Sequence, residues 1–385
     1  EQDRFPVEAS LAPRVGDFMT FASRNHVARL LALITSIAIG GGAVPAQTTP
    51  YFADVTSETG LDAIPAFRIA VADLDGDGWH DVLVHLEPNH GTGDVLDKQL
   101  LYLNRPGALP GERTFVDVTE SSGIRANREG TQDGRHSDAA VFADVDNDGD
   151  LDVFTNVYVH RNATLSLGTN DLLLNNGDAT FELAPSSPFH LAPIYNTAAM
   201  VFVDYDNDGT IDLYIGNWYD AVSSDMTPDR LYRGGGDGTF VDTTDSSGIG
   251  PRLTSVYAVA AADWNDDGWI DLFAPSYAWT VLNAVSVHWK NNGDGTFTEV
   301  QASTNYDDHR GTLSGVASFG SMFRDYDNDG DQDFVEILTH GEGDGAGSVH
   351  STTVTNTAGV FSWDWDRVTG RAAEDPDLTH HGDHH

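Results

Sequence analysis

A nine-residue acidic stretch recurs five times in this chain, beginning at Asp73, Asp144, Asp204, Asp263 and Asp325. Each copy carries Asp or Asn at relative positions 1, 3, 5 and 9 and Gly at position 6. Carboxylates this close together repel one another, and they become favourable neighbours once a hard divalent cation such as Ca²⁺ lies among their oxygens. The glycine permits the sharp turn that brings position 9 back towards the ion. We call these stretches acidic loops 1 to 5 and expect each of them to bind Ca²⁺.

Short apolar runs flank every acidic loop in the same order. One run precedes the loop, a second follows it, a third leads into a turn rich in Gly and Asn, and a fourth opens on Phe115, Phe181, Phe240, Phe297 or Phe361. The Asn-Gly and Asp-Gly pairs in these turns are typical of tight hairpins. Each unit therefore predicts four short antiparallel strands, A to D, with the acidic loop joining A to B.

Successive loops start 71, 60, 59 and 62 residues apart, which indicates an all-β repeat protein. Four-stranded units of this length are typical of the blades of a β-propeller, and five blades are visible. A linear β-solenoid is the structural alternative. EF-hands share the acidic opening but require flanking helices and a Glu at position 12. This chain has strand-like flanks, and its residues at position 12 are Val84, Thr155, Ile215, Ala274 and Glu336.

The chain is strongly acidic, with 60 Asp and Glu residues against 20 Lys and Arg residues and a formal charge of −40. Nucleic acids and anionic membrane surfaces require basic patches on a protein partner, so neither is expected to bind here. Cys is absent, which excludes disulfides and thiolate metal sites.

The two ends of the chain differ from the repeats. Residues 19–46 combine Arg24 and Arg29 with an apolar run over 30–39 and small residues up to Ala46. This pattern predicts a cleaved secretory signal, and the run is short for a membrane span. An uncleaved N-terminal anchor is the alternative. Residues 1–18 precede this signal, so we expect them to be upstream translation or disordered. Residues 47–370 are expected to form the blades, and residues 371–385 to be a His/Asp-rich tail or a linker to a missing blade.

A second motif places the chain ends. Phe-x-Asp-x-Thr, followed by Gly and an aliphatic residue, occurs at 52–61, 115–124 and 240–249. The last two copies are strand D leaving its blade. The first copy has no strands A to C before it, so we expect it to be the outer strand of the last blade. Blade 5 already has a strand D candidate at Phe361, so the ring is predicted to be incomplete in this chain.

The acidic loops, the turn at Asn291-Asn292-Gly293-Asp294-Gly295-Thr296-Phe297 and the Phe-x-Asp-x-Thr strands resemble FG-GAP/VCBS repeats. Such repeats occur in integrin α-subunit propellers and in many secreted bacterial proteins. The strand motif is most similar to the cartilage-acidic-protein type. The resemblance covers roughly residues 51–370 and implies a propeller, usually seven-bladed, with Ca²⁺ in the A–B loops on one face. The Gly-Ala-Pro element of the family name is absent from these repeats. The closing blades and the C-terminal domain of the cartilage-acidic type are not expected within residues 1–385.

The resemblance also implies the calcium ligands, about one ion per loop. Carried over position by position, they are the side chains at positions 1, 3, 5 and 9: Asp73, Asp75, Asp77, Asp81, Asp144, Asp146, Asp148, Asp152, Asp204, Asp206, Asp208, Asp212, Asp263, Asn265, Asp267, Asp271, Asp325, Asp327, Asp329 and Asp333. Loop 4 has Asn265 in place of an acid, so we expect it to bind Ca²⁺ more weakly. The expected role of the ions is to rigidify the A–B turns.

Recognition is expected on the opposite face, formed by the B–C and D–A loops, because binding residues concentrate on loops held by a rigid scaffold. Aromatic rings suited to sugar stacking or protein contacts occur there: Tyr158, Tyr195, Trp218, Tyr219, Tyr257, Tyr277 and Trp279. The alternative is that these rings pack between blades. His136 with Asp138, and His309 with Arg310, are candidate acid–base groups. Their spacing in the sequence gives no sign that they act together, and chance placement is the alternative.

These features predict a secreted, calcium-stabilised propeller, extracellular, at the cell surface or periplasmic, that serves as a binding or adhesion module for a protein or glycan. It is not expected to be an enzyme or to span a membrane after signal cleavage. The alternative is an extracellular carbohydrate-active enzyme of the polysaccharide lyase type on a propeller scaffold. A structural matrix component is a third hypothesis.

Overall fold

A computed structural model of the chain describes residues 54–61, 64, 66–86, 99–158, 169–185, 188–190, 195–220, 225–250, 253–276, 286–300, 317–339, 349–357 and 359–364. All but Asp54 belong to one compact unit, Val55–His385. The predicted signal segment, the C-terminal tail and the beginning of the first Phe-x-Asp-x-Thr motif lie outside these residues. Among the described helices, none is long and apolar enough to cross a membrane.

Five four-stranded antiparallel sheets form the described fold, one for each predicted unit. The fold class is all-β, as predicted. In the order A to D, the strands are β1 (Ala66–Ala72), β2 (Asp81–Leu86), β3 (Gln99–Pro106) and β4 (Arg113–Asp117) in blade 1; β5 (Ala140–Ala143), β6 (Asp152–Thr155), β7 (Asp171–Asn175) and β8 (Phe181–Leu183) in blade 2; β9 (Tyr195–Val203), β10 (Asp212–Asp220), β12 (Arg230–Gly234) and β13 (Phe240–Asp242) in blade 3; β15 (Ala260–Ala262), β16 (Asp271–Ala274), β17 (Val287–Asn291) and β18 (Phe297–Glu299) in blade 4; and β19 (Ala317–Arg324), β20 (Asp333–Thr339), β21 (Val349–Thr357) and β22 (Val360–Asp364) in blade 5.

The remaining elements are short. Strands β11 (Thr227–Pro228) and β14 (Leu253–Thr254) pair as a separate ribbon. The helices α1 (Thr56–Thr59) and α2 (Thr119–Ser122) are single turns, and Pro188–His190 forms a 3-10 turn. Strand A of each blade lies beside strand A of the next, through the pairs β1–β5, β5–β9, β9–β15 and β15–β19. Strand A is therefore the inner strand of each blade, as in a β-propeller.

Apolar side chains fill the space between successive blades. Leu101 of blade 1 packs with Phe181 of blade 2 in one cluster, and the other three interfaces are built in the same way. Representative pairs there are Phe154 with Leu213, Tyr214 with Trp289, and Phe273 with Phe334. A blade between two others is covered on both faces, which is why all four residues of β6 are buried.

The Phe-x-Asp-x-Thr motif carries the chain from strand D of one blade to the next blade. After β4 and α2, Gly123 adopts a left-handed φ of 73°. A Cβ at Gly123 would lie 2.4 Å from the carbonyl oxygen of Phe181 in strand D of blade 2, so only glycine fits. Gly60, after α1, lies against the Phe115 carbonyl of blade 1 in the same manner. The described end of the first copy therefore leads into blade 1.

A hydrogen bond from the next blade reaches the carbonyl at position 2 of four acidic loops. In three of these interfaces the donor is the side-chain amide of the last Asn of strand C, and in blade 3, where Gly234 takes that place, the donor is a backbone N–H. The donor and acceptor residues are Asn175 and Leu74, Gly238 and Val145, Asn291 and Tyr205, and Asn356 and Trp264, at 2.8, 3.2, 2.7 and 2.6 Å respectively. All four blade interfaces therefore share one polar tie at the acidic loops.

Replacing Asn291 with Ala removes this tie between blades 3 and 4. Asn291 is buried, and its amide also donates to the Ile270 carbonyl at 3.0 Å. Because the variant leaves two carbonyls without their donor, we expect the free energy of unfolding to fall by about 2–4 kcal/mol. Urea denaturation at saturating Ca²⁺ measures this loss.

The adjacent Asn292 is the matched control. It is exposed and hydrogen-bonds to Thr296 and Thr298 at the surface of the turn. We expect Asn292→Ala to cost less than about 1 kcal/mol. Equal losses in the two variants would contradict the tie between blades.

Candidate metal centres and the opposite face

The acidic loops share one backbone turn, which the position-1 carboxylate holds closed. In loop 3, Asp204 Oδ1 accepts the N–H of Asp208 at 3.1 Å and its Oδ2 accepts the N–H of Gly209 at 3.0 Å. The other four loops repeat both bonds. The glycine at position 6 is left-handed, as predicted, with a φ of 87° at Gly209. Position 4 is left-handed too, with a φ of 54° at Asn207, and the sequence analysis did not anticipate this.

The position-9 carboxylate joins the loop to strand C of its own blade. Asp212 is fully buried. Its Oδ2 accepts the N–H of Tyr205 at 2.9 Å and its Oδ1 accepts the N–H of Gly234 at 2.8 Å. The strand C bond recurs for Asp81, Asp152, Asp271 and Asp333. Position 9 therefore supports the fold as well as facing the other carboxylates.

Burial makes the charged form of these position-9 groups unfavourable. Desolvation raises the pKa of Asp152 to about 6 and the pKa values of Asp212 and Asp271 to about 7. It raises the pKa of Asp81 as well. The backbone N–H groups oppose this rise, and neighbouring acids of the same loop add to it. A cation among the carboxylates would favour the deprotonated state.

Carboxylate oxygens converge in four of the five loops. In each group, one oxygen from every member lies within 4.8 Å of the others. The groups are Asp73, Asp75 and Asp81; Asp144, Asp146 and Asp152; Asp204, Asp206 and Asp212; and Asp325, Asp327 and Asp329. A set of convergent carboxylate oxygens is the donor set that Ca²⁺ prefers.

Two oxygens of these groups are left without a hydrogen-bond partner. Oδ1 of Asp146 and Oδ1 of Asp206, both at position 3, are buried and accept no hydrogen bond in the described structure. A buried carboxylate oxygen without a partner is unfavourable, and a hard cation satisfies it. The residues of loops 2 and 3 therefore fit a bound Ca²⁺, with positions 1, 3 and 9 able to hold it.

Loop 4 differs in the way its sequence suggests. The side-chain amide of Asn265 donates to Asp271 Oδ2 at 2.6 Å, so a donor lies where the other loops place an acid. Its ligand residues are all described, and they form no group of convergent acids like those above. This geometry is consistent with the expectation of weaker binding.

Side chains from four blades meet at the strand ends opposite the acidic loops. The Trp218 ring stacks on Tyr158 with centroids 5.9 Å apart and planes 10° apart. It meets Tyr257 edge-on at 5.2 Å and Tyr219 at 4.5 Å. We call this group the aromatic cluster, and it comprises Arg68 of blade 1, Asp138 and Tyr158 of blade 2, Trp218 and Tyr219 of blade 3, and Tyr257, which precedes strand A of blade 4.

Arg68 connects the aromatic cluster to blade 1. Its guanidinium donates to the Tyr257 hydroxyl at 3.3 Å and forms an ion pair with Asp138 at 3.4 Å. Asp138 is buried and also accepts from the Asn156 amide at 2.5 Å. The cluster is therefore held by charge and hydrogen bonds as well as by ring packing.

The aromatic residues are less exposed than the sequence suggested. Tyr158 and Tyr219 are each 6% exposed, which favours for these two rings the alternative of packing inside the structure. Tyr195, Trp218 and Tyr257 are half-buried. Tyr277 and Trp279 lie outside the described residues.

The first acid–base candidate pair lies in the interior. His136 and Asp138 are buried in the segment that leads into blade 2, and burial lowers the pKa of His136 and raises that of Asp138. The preceding Arg135, which sequence reasoning did not single out, is fully buried and pairs with Asp171 of strand C at 3.7 Å. Packing and ion pairing thus account for this segment. His309 and Arg310 lie outside the described residues.

Comparison with known proteins gives matches of three kinds: a family model, curated relatives and solved structures. A family model described as FG-GAP-like repeat matches residues 157–215 and 217–274. Cartilage acidic protein 1 of Mus musculus is 25% identical over 83% of this chain and 45% of its own length. The Homo sapiens protein of that name is 29% identical over 46% of this chain and 25% of its length, and the Xenopus tropicalis protein is 25% identical over 67% and 37%.

The chain spans less than half the length of each of these curated relatives. Among solved structures, the V. cholerae biofilm matrix protein Bap1 aligns with 77% of this chain and 38% of that chain, at a TM-score of 0.35 and 14% identity. The matched repeats contain acidic loops 3 and 4 with their flanking strands. Residues 157–215 and 217–274 thus match FG-GAP-like repeats, and most of the chain is similar to cartilage acidic protein 1.

Proposed function

We propose that this chain is a calcium-stabilised propeller segment of an extracellular repeat protein and that it serves as a binding module for a protein or glycan. The observation that carries the calcium part is the convergence of carboxylate oxygens in four loops, together with the unpartnered buried oxygens of Asp146 and Asp206. Loops 1 to 4 also lie at blade interfaces, where the next blade bonds to their position-2 carbonyls. Bound Ca²⁺ would therefore stabilise both the turn and the interface.

The binding part rests on the aromatic cluster. Trp218 and Tyr257 are half-buried rings whose orientation is set by stacking and by Arg68. Rings held in this way lose little conformational freedom when a sugar or a protein side chain packs on them. The relatives named cartilage acidic protein 1 and the secretory signal predicted at residues 19–46 support an extracellular location.

Removing Ca²⁺ is expected to lower the melting temperature of the full chain. A site filled at 100 times its Kd adds about 2.7 kcal/mol to the free energy of unfolding. Calorimetric scans in EGTA and in Ca²⁺, with Mg²⁺ as the comparison ion, measure the difference. Asp146→Asn should reduce the gain from Ca²⁺, whereas Asp178→Asn, in the C–D turn of the same blade, should retain it. An unchanged melting temperature in EGTA would contradict the calcium part.

Protonation should partly replace Ca²⁺ in the metal-free protein. The folded-state pKa of Asp212, about 7, lies above its ordinary value of 3.8, so between about pH 4 and 7 the folded state binds more protons than the unfolded state. The free energy of unfolding therefore falls as pH rises through this window, and stability is lost as Asp152, Asp212 and Asp271 ionise. We expect a higher metal-free melting temperature at pH 5 than at pH 7.5.

Calcium should reverse that order, because it requires the deprotonated ligands. Scans of the wild-type chain at both pH values, with EGTA and with Ca²⁺, show the reversal. Asp212→Asn should weaken the metal-free pH dependence, and Asp178→Asn should leave it intact. A metal-free protein that loses stability between pH 7.5 and pH 5 would contradict this reading of the position-9 groups.

Trp218→Ala is expected to weaken ligand binding by at least about tenfold, the effect of losing an aromatic hot spot. A glycan array and a panel of matrix proteins, each probed with the wild-type chain in Ca²⁺, identify the ligand for the titration. Trp79→Ala is the control, since Trp79 is an exposed ring in acidic loop 1 at the other end of the strands. Equal losses would place binding elsewhere, and shortened glycan products would favour the lyase alternative.

A further inference from the structure

Basic side chains of strand C lie against the acidic loops in three of the five blades. In blade 3, the Arg233 guanidinium pairs with Asp206 (Nε to Oδ2, 2.6 Å) and with Asp208 (Nη2 to Oδ2, 2.5 Å). The other pairs are Lys290 with Asp267 in blade 4, and Arg105 with Asp75 and Asp77 in blade 1. In each case the partners are ligand positions 3 or 5 of the loop.

The placement of these side chains follows the register of the sheets. Arg233 and Lys290 each directly precede the strand C residue whose N–H bonds to the position-9 carboxylate. The residue at this place is Leu103 in blade 1, Leu174 in blade 2 and Thr355 in blade 5. Arg105 of blade 1 instead directly follows its own strand C residue, Asn104. Within the described part of the chain, no ligand carboxylate of loop 2 or loop 5 pairs with Lys or Arg. The five loops therefore fall into two classes, which we call braced loops (1, 3 and 4) and unbraced loops (2 and 5).

A braced loop still offers oxygens to a metal. Asp206 uses Oδ2 for Arg233, while its buried Oδ1 has no partner. The guanidinium and a bound cation would thus share one carboxylate through different oxygens. A positive charge at this distance relieves the repulsion among the acids of the metal-free loop, and it also opposes an approaching Ca²⁺.

We propose that the strand C cations Arg105, Arg233 and Lys290 are built-in counter-ions that divide the calcium sites into a weak, braced class and a tight, unbraced class. The inference rests on the proposed calcium function and adds how the Ca²⁺ affinity of the individual sites is set. Braced loops keep their turn when Ca²⁺ is scarce. Unbraced loops depend on the ion for their turn, and as the tight class they fill first when the Ca²⁺ concentration rises and empty last when it falls.

Moving the counter-ion into blade 2 tests the proposal directly. Leu174→Arg places a guanidinium at the register position of Arg233, beside the carboxylates of loop 2. We expect the tight class to weaken by about three- to tenfold and the metal-free melting temperature to rise. Leu174→Gln is the uncharged control, since it changes the same packing without adding charge. Calorimetric titration of Ca²⁺ into the metal-free full chain measures the affinities.

The reciprocal change is made at the exposed end of blade 3, where folding is at little risk. Arg233→Gln should strengthen one calcium site of the weak class by a similar factor and lower the metal-free melting temperature, and Arg233→Lys should restore both values. Arg230→Gln is the matched control, because Arg230 lies on the same strand and pairs with Asp242 rather than with a loop.

The outcomes separate this inference from the calcium function itself. The counter-ion proposal is supported if Leu174→Arg lowers the Ca²⁺ affinity of the tight class and Arg233→Gln raises the affinity of a site in the weak class. If the wild-type chain binds Ca²⁺ but neither variant changes affinity relative to its uncharged or matched control, the counter-ion role is wrong and the calcium function stands. A wild-type chain that takes up no Ca²⁺ overturns both.

Discussion

The buried carboxylate at position 9 is the interaction on which the rest of the fold depends. In loop 3, Asp212 accepts one N–H from the loop and one from strand C, so a single side chain joins the turn between strands A and B to the third strand. Strand C also connects neighbouring blades, because the Asn291 amide of blade 4 donates to the Tyr205 carbonyl in the loop of blade 3. An ionisable group without solvent is costly unless its oxygens are satisfied. Burial raises the pKa of Asp212, and its two backbone donors oppose that rise.

Local chemistry explains why so much of this architecture could be predicted. Left-handed glycines such as Gly209, short apolar runs and the spacing of acids are all properties of adjacent residues, and they define the loops, the strands and the number of blades. The tie between blades could not be found in this way. Asn175 and Asn291 lie two residues before glycines and therefore indicate tight turns, yet their amides cross to carbonyls 101 and 86 residues earlier in the chain. Gly238 performs the same task in blade 3 with its backbone alone, so no residue type marks it.

The recognition face was harder to predict for a similar reason. Whether an aromatic ring is exposed depends on which loops meet, and Arg68 and Tyr257 meet across a sequence separation of 189 residues. The ring of Tyr158 looked like a loop residue next to an apolar strand, and stacking against Trp218 removed it from solvent. The structural role of Asp138 was equally hard to predict. Its sequence position suggested a catalytic acid, whereas in the structure its carboxylate pairs with Arg68 and accepts from Asn156.

The two ends of the strands are coupled through the blade interfaces. The aromatic cluster takes residues from blade 1 through to the entry of blade 4, so the contact between Arg68 and Tyr257 holds only while three successive interfaces keep their spacing. Each of those interfaces carries a tie at an acidic loop, where Leu74, Val145 and Tyr205 accept from the next blade. A cation that stiffens a loop would thus act on the cluster from the far end of the blades, without touching the ligand. Because the loop between blades 2 and 3 is unbraced, that interface is where calcium would have the greatest influence on recognition.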